Sequence, residues 1–118
     1  MKYMLLIYLD EKSLNEAERD KCYVESAQYA QDLHARGQYL AAAPLHPTST
    51  ATSVRTREGK ALVTDGPFAE TREQLGGFFM IDVKDLDQAI SIASKIPAGK
   101  WGTVEIRPVM EVGGLPAT

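Results

Sequence analysis

From Lys2 to Leu9 the chain is apolar at nearly every position and is closed by Asp10-Glu11-Lys12. A short, unbroken apolar run bounded by charge predicts a buried strand. Ser13 then offers a helix cap, and Glu16, three residues on, completes a capping box. The spacing predicts a helix that runs to about Arg36 and stops at Gly37, the residue best suited to a left-handed terminator. Its inward stripe reads Tyr23, Ser26, Ala27, Ala30 and Leu33, three or four residues apart. Gln38 to Ala43 predicts a second strand, broken by Pro44 and Pro47.

Thr50 to Arg57 alternates, with Thr52, Val54 and Thr56 opposite Ser53, Arg55 and Arg57, and Glu58-Gly59 turns the chain into Lys60–Thr64 as a hairpin. Gly77 to Val83 is again apolar. Asp85 opens a second helix through Ile96, with a stripe of Leu86, Ala89, Ile90 and Ala93, and Pro97 ends it. Thr103 to Met110 is the last strand. The chain therefore reads as one domain over residues 1–112 with a tail over 113–118.

Strand, helix, strand, inserted hairpin, strand, helix, strand is an α+β order, that of a ferredoxin-like split βαβ fold. Two helices cover one face of a sheet. Yet the first strand is apolar on both faces, with Met4, Leu6 and Tyr8 on one and Tyr3, Leu5, Ile7 and Leu9 on the other. Phe78 and Met80 oppose Phe79 and Ile81 in the same way. A sheet apolar on both faces buries both. The expectation is a homodimer with sheets face to face, a dimeric α+β barrel with a side-chain-lined cleft in each subunit.

Composition narrows the function classes. The 118 residues are 44% hydrophobic and 25% charged, ordinary values for a globular chain. Thirteen basic against sixteen acidic side chains leave a net charge of −3, without the basic stripe that nucleic acid requires. No run approaches the roughly 18 apolar residues of a membrane span. The first apolar run is too short for a secretory core and lacks a small-residue cleavage site, so the expected location is cytoplasmic. Cys22 is the single cysteine, which excludes an intrachain disulfide and a cysteine-clustered zinc site. Two isolated histidines and scattered acids show no ligand spacing, and neither metal nor cofactor is expected.

The chemistry concentrates in Asp65-Gly66-Pro67-Phe68-Ala69-Glu70-Thr71-Arg72-Glu73-Gln74-Leu75-Gly76-Gly77. Asp65 and Glu70, a rigid Gly-Pro corner and a glycine pair join two strand-like runs, and such loops carry chemistry on rigid scaffolds. Asp65 is either an Asx-turn carboxylate or an acid/base group. Glu70, across the Pro67-Phe68 corner, either pairs with Asp65, raising one pKa toward neutrality, or bridges to Arg72 or Lys60. Glu73 reads as solvated. His46, in the loop between Leu45 and Pro47, is the third catalytic candidate, histidine being the commonest general acid–base side chain. His34 falls in the last helical turn, where a cation suits the dipole. Arg107 shares a strand face with Glu105 and either pairs with it or holds an anionic ligand in the cleft. Tyr8, Phe68 and Phe78 are the aromatic candidates for a pocket wall.

The run from Asp65 through Phe78 resembles the signature of the YCII-related, DGPF-type family. The resemblance extends to Met1–Tyr8, to Asp85-Leu86-Asp87 with Ala89, to Ile96-Pro97 and to Val104–Val109. It implies a bacterial, cytoplasmic, dimeric ferredoxin-like barrel with no known cofactor. A distant branch includes a dehydrochlorinase acting on a chlorinated hydroxyquinol, with acid–base work attributed to a His/Asp pair. Neither His34 nor His46 falls in a segment matching the family motif. Other DGPF-type members are linked to extracytoplasmic-function sigma factors.

Two readings follow. In the first, a cofactor-independent enzyme uses Asp65, Glu70 and His46 for proton transfer on a small anionic or phenolic substrate held by Arg107. In the second, a non-catalytic dimer binds a metabolite or a protein partner in sigma-factor regulation, and the same loop is a recognition surface.

Overall fold

The computed structural model describes residues 1–117; Thr118, the end of the expected tail, lies outside the described residues. Six strands and two helices follow in the order β1 (Lys2–Leu9), α1 (Glu16–Ala35), β2 (Tyr39–Pro44), β3 (Thr52–Arg57), β4 (Lys60–Asp65), β5 (Gln74–Asp82), α2 (Leu86–Ala93) and β6 (Gly102–Pro108). The main sheet has the order β2-β5-β1-β6 and every pairing in it is antiparallel, so the two strand–helix–strand units interleave. β3 and β4 form a separate two-stranded sheet. The fold is a mixed α+β domain with antiparallel sheets.

The core lies on one face of the main sheet. Tyr3, Leu5 and Ile7 of β1 alternate inward beside Phe79 and Ile81 of β5, and Val104 and Ile106 of β6 pack against them. Leu33 from α1 and Ala89, Ile92 and Ala93 from α2 close the layer. Tyr29 of α1 donates its hydroxyl to the Ile92 carbonyl at 2.8 Å, which ties the two helices together. Met4, Leu6, Tyr8, Phe78 and Met80 occupy the opposite face and are half-buried.

Several local expectations shift. The helix cap is Asn15, not Ser13: Asn15 accepts from the Glu18 N–H at 2.8 Å and Glu18 reaches back to the Asn15 N–H at 3.0 Å. Asp10 caps a short 3₁₀ turn first, the Ser13 hydroxyl donating to its carbonyl, and so the helix starts two residues later. α2 is shorter than the stretch to Ile96, and its inward face is Ala89, Ile92 and Ala93 rather than the Leu86 and Ile90 stripe, both of which are exposed. After α2 a 3₁₀ turn over Pro97–Trp101 leads into β6. Gly37 has φ +73°, the left-handed conformation expected of it.

The β3–β4 hairpin departs most from a compact layer. All of its strand residues except Ser53 are exposed, Val54, Leu62 and Val63 included. The arm gives the molecule extents of 46 × 43 × 20 Å and a radius of gyration of 15.9 Å. A compact chain of this length has a radius of about 13–14 Å. No helix of the described residues is long and apolar enough to cross a membrane.

Candidate functional site

A cavity of about 740 Å³ opens between α1 and the helix-side face of the sheet. Its origin lies in side-chain size. The stripe of α1 that faces it carries Tyr23, Ser26, Ala27 and Ala30, and the opposing backbone carries Ala42, Ala43, Gly76 and Gly77. Short side chains on both walls cannot span the gap. Tyr23 is therefore 44% exposed and Ala27 is also exposed, whereas Leu33, at the end of the same stripe, is fully buried. The inward stripe read from the sequence faces a hollow over most of its length and the core only at Leu33.

The polar groups in the wall are few: Glu11, Arg19, Ser26, His46 and the phenols of Tyr23 and Tyr39. His46 lies on the loop after β2, and that loop is fastened at both sides. The Leu45 N–H donates to the Gly76 carbonyl at 2.9 Å, and the Thr48 N–H donates to the Glu11 carboxylate at 2.9 Å. The second carboxylate oxygen of Glu11 accepts from the Thr48 hydroxyl. Gly76 is the unpaired residue where the register slips between Ile7–Gly77 and Tyr8–Leu75, a β-bulge. Beside it, a Cβ on Gly77 would lie 2.9 Å from the Ala43 carbonyl oxygen and 3.2 Å from the Pro44 Cα. The glycine pair thus lets the His46 loop approach the sheet closely, and its carbonyl anchors that loop. Cys22 also lines the cavity; burial pushes its thiol pKa up, so it is a neutral group in the wall.

The structure divides the residues singled out from the sequence. His46 lines the cavity, whereas Phe78 only borders it, because its pairing opposite Leu6 puts its side chain on the open face of the sheet. Asp65 and Glu70 do neither: both are exposed, at the end of β4 and on the following loop, and neither carboxylate makes a hydrogen bond or ion pair among the described residues. The Gly66 N–H goes to the Ala51 carbonyl at 2.8 Å, closing the base of the arm through backbone instead of an Asx turn. Arg72 bridges to Asp10 at 3.5 Å, which leaves Glu70 without the partner considered for it. Glu73 is not simply solvated, since it accepts from the Thr103 hydroxyl at 2.8 Å.

Arg107 and Glu105 pair at 3.7 Å on the open sheet face, opposite Met4 and Leu6. They lie across the sheet from the cavity, because Val104 and Ile106 take the helix side. Tyr8 shares that open face. Phe68 is 79% exposed on the arm side, with the Arg55 guanidinium 5.6 Å from its ring centroid. His34 ends α1 on the surface, edge-on to Tyr39. Arg19 and Glu11 were missed. Their signal in the sequence was weak: Glu11 read as strand-ending charge, and Arg19 lies one helical turn before Tyr23 on the stripe.

The YCII-related domain profile matches residues 1–113, nearly the whole chain. The chain belongs to the YCII-related domain family. This YCII-related chain is 36% identical over 124 residues to the uncharacterized protein R00369 of Rhizobium meliloti (strain 1021), covering 99% of this chain and all of that one. Among solved structures it resembles 5-chloro-2-hydroxyhydroquinone dehydrochlorinase (TftG) from Burkholderia phenoliruptrix AC1100, in complex with 2,5-dihydroxybenzoquinone. That superposition has a TM-score of 0.57 at 15% identity and covers 95% of this chain and 96% of the other, a likeness of fold.

Proposed function

We propose that this YCII-related protein is a cofactor-independent acid–base enzyme acting on a small anionic or phenolic substrate bound between α1 and the sheet. The observation that carries the reading is the cavity of about 740 Å³ with a histidine on a doubly anchored loop in its wall. Its size falls within the range of small-molecule sites, and its walls have the composition of one, mostly apolar with a few polar groups. Proton removal beside a carbonyl or from a phenol needs a base positioned within reach of the substrate, and His46 is exposed to the space in which one would lie. The His46 imidazole is the base in this reading. The fold likeness to a dehydrochlorinase is compatible with it as analogy only.

The working unit in this proposal is a cytoplasmic homodimer of ferredoxin-like subunits, a dimeric α+β barrel. Met4, Leu6, Phe78 and Met80 on the open sheet face supply its apolar contact. A second reading, a dimer that binds a partner without catalysis, is favoured by the exposure of Asp65, Phe68 and Glu70, which suits recognition better than proton transfer.

Carbon–hydrogen exchange tests the enzyme. The protein is incubated in deuterium oxide with a panel of phenols and keto acids, and deuterium incorporation is followed by NMR. The expected result is accelerated exchange for a subset of the panel, lost in His46→Ala without loss of fold. Equal rates with wild type, His46→Ala and no protein remove the proton-transfer reading.

A further inference from the structure

Arg19 departs from two local expectations at once. It stands at the fourth helical position after the Asn15 cap, where a hydrophobic staple would place an apolar side chain against Leu14. It is half-buried in the cavity wall, yet makes no ion pair with any acid among the described residues. Glu11, the one carboxylate in the same wall, forms no ion pair with it and is oriented instead toward Thr48, whose N–H and hydroxyl donate to its two oxygens. In a chain of net charge −3, an arginine left unmatched beside an apolar hollow is poorly placed for stability.

We infer that Arg19 is the specificity-determining residue of this cavity and selects ligands carrying a carboxylate on an apolar ring or branched acyl body. This rests on the cavity being the binding site, as proposed above. A guanidinium presents two parallel donors that match a carboxylate bidentately. The apolar body then lies along Tyr23, Ala27, Ala42 and Gly77. His46 is in the same wall, so the acid head is fixed at Arg19 while the proton-transfer group addresses the rest of the molecule. The role thus falls to Arg19, and Arg107 across the sheet is held by Glu105.

The test compares 2-naphthoate with its neutral analogue 2-naphthamide by isothermal titration calorimetry on the full chain. The wild type is expected to prefer the acid about tenfold or more, the scale of one charge-assisted bidentate contact. Arg19→Gln is expected to abolish that preference, the affinity for the acid falling to that for the amide, and Arg19→Lys to retain part of it. Ala27→Phe, at an exposed position of the wall, is expected to weaken both ligands; Ser26→Phe serves the same purpose, and thermal unfolding checks that each variant folds. If the plugging variants weaken both ligands but Arg19→Gln keeps the acid preference, the ligand class is wrong and the cavity stands. If folded plugging variants leave both affinities intact, or the wild type binds neither ligand, the cavity reading fails and takes the inference with it.

Discussion

The α1–sheet layer and the β3–β4 arm treat their apolar side chains in opposite ways. In the layer, Leu5, Leu33 and Ile81 are completely buried, and the space that remains is bounded by alanine, serine and glycine. In the arm, Val54 and Val63 face each other across the ladder and both stay exposed. An isolated two-stranded hairpin is at best marginally stable in water. The contrast teaches that stability and the enclosed site both reside in the four-stranded layer, while the arm offers surface. The signature loop joins the two regions. Asp65 and Glu70 belong to the arm side, and Gly76 and Gly77 to the cavity side.

The comparison breaks most visibly at Leu33. Leu33→Ala removes a fully buried side chain at the junction of α1 and the sheet and is expected to cost about 3 kcal/mol, read from denaturant unfolding. A cost near that of a surface substitution would mean that α1 is not held where the cavity requires. Replacing Thr52–Asp65 with a short glycine turn is expected to shift the thermal midpoint by less than about 4 °C, since the arm forms a sheet of its own. Light scattering on both proteins sharpens the point: a two-chain mass that survives arm removal assigns the dimer contact to the open sheet face, and one that disappears assigns it to the arm.

The smallest effect concerns pH. Burial raises the pKa of Cys22, and of Tyr29 as well, so the folded state holds these protons more tightly than the unfolded chain does. Their contribution is fully present below the unfolded value, about 9 for the thiol, and declines as pH rises through the raised folded value. Alkylation of Cys22 by iodoacetamide at pH 8 should be slower in the folded protein than in urea. Equal rates would show an accessible thiolate in the cavity wall.

Most of the fold was legible because its signals are periodic. The two-sided apolar run of β1, the stripe ending at Leu33 and the Glu58-Gly59 turn each follow from spacing alone. The cap slipped because Ser13/Glu16 and Asn15/Glu18 fit the same box, and only the Asp10-capped turn decides between them. The site was harder to read. Sequence drew the eye to charged residues in the glycine-bounded loop, whereas the hollow is made by what is missing: side chains longer than a methyl or hydroxymethyl at Ser26, Ala27, Ala30 and Ala42. Small residues signal packing as readily as emptiness, and only the separation of α1 from the sheet tells which.

Those walls also set a direction for change. Where the lining residues are already among the smallest available, substitution there can only subtract room. A descendant of this chain could narrow its preference toward slimmer molecules by single replacements at Ala27 or Ala43. Admitting bulkier ones would take truncation of a large wall residue such as Tyr23 or Leu45, since α1 itself is held by the Tyr29–Ile92 tether and the buried Leu33.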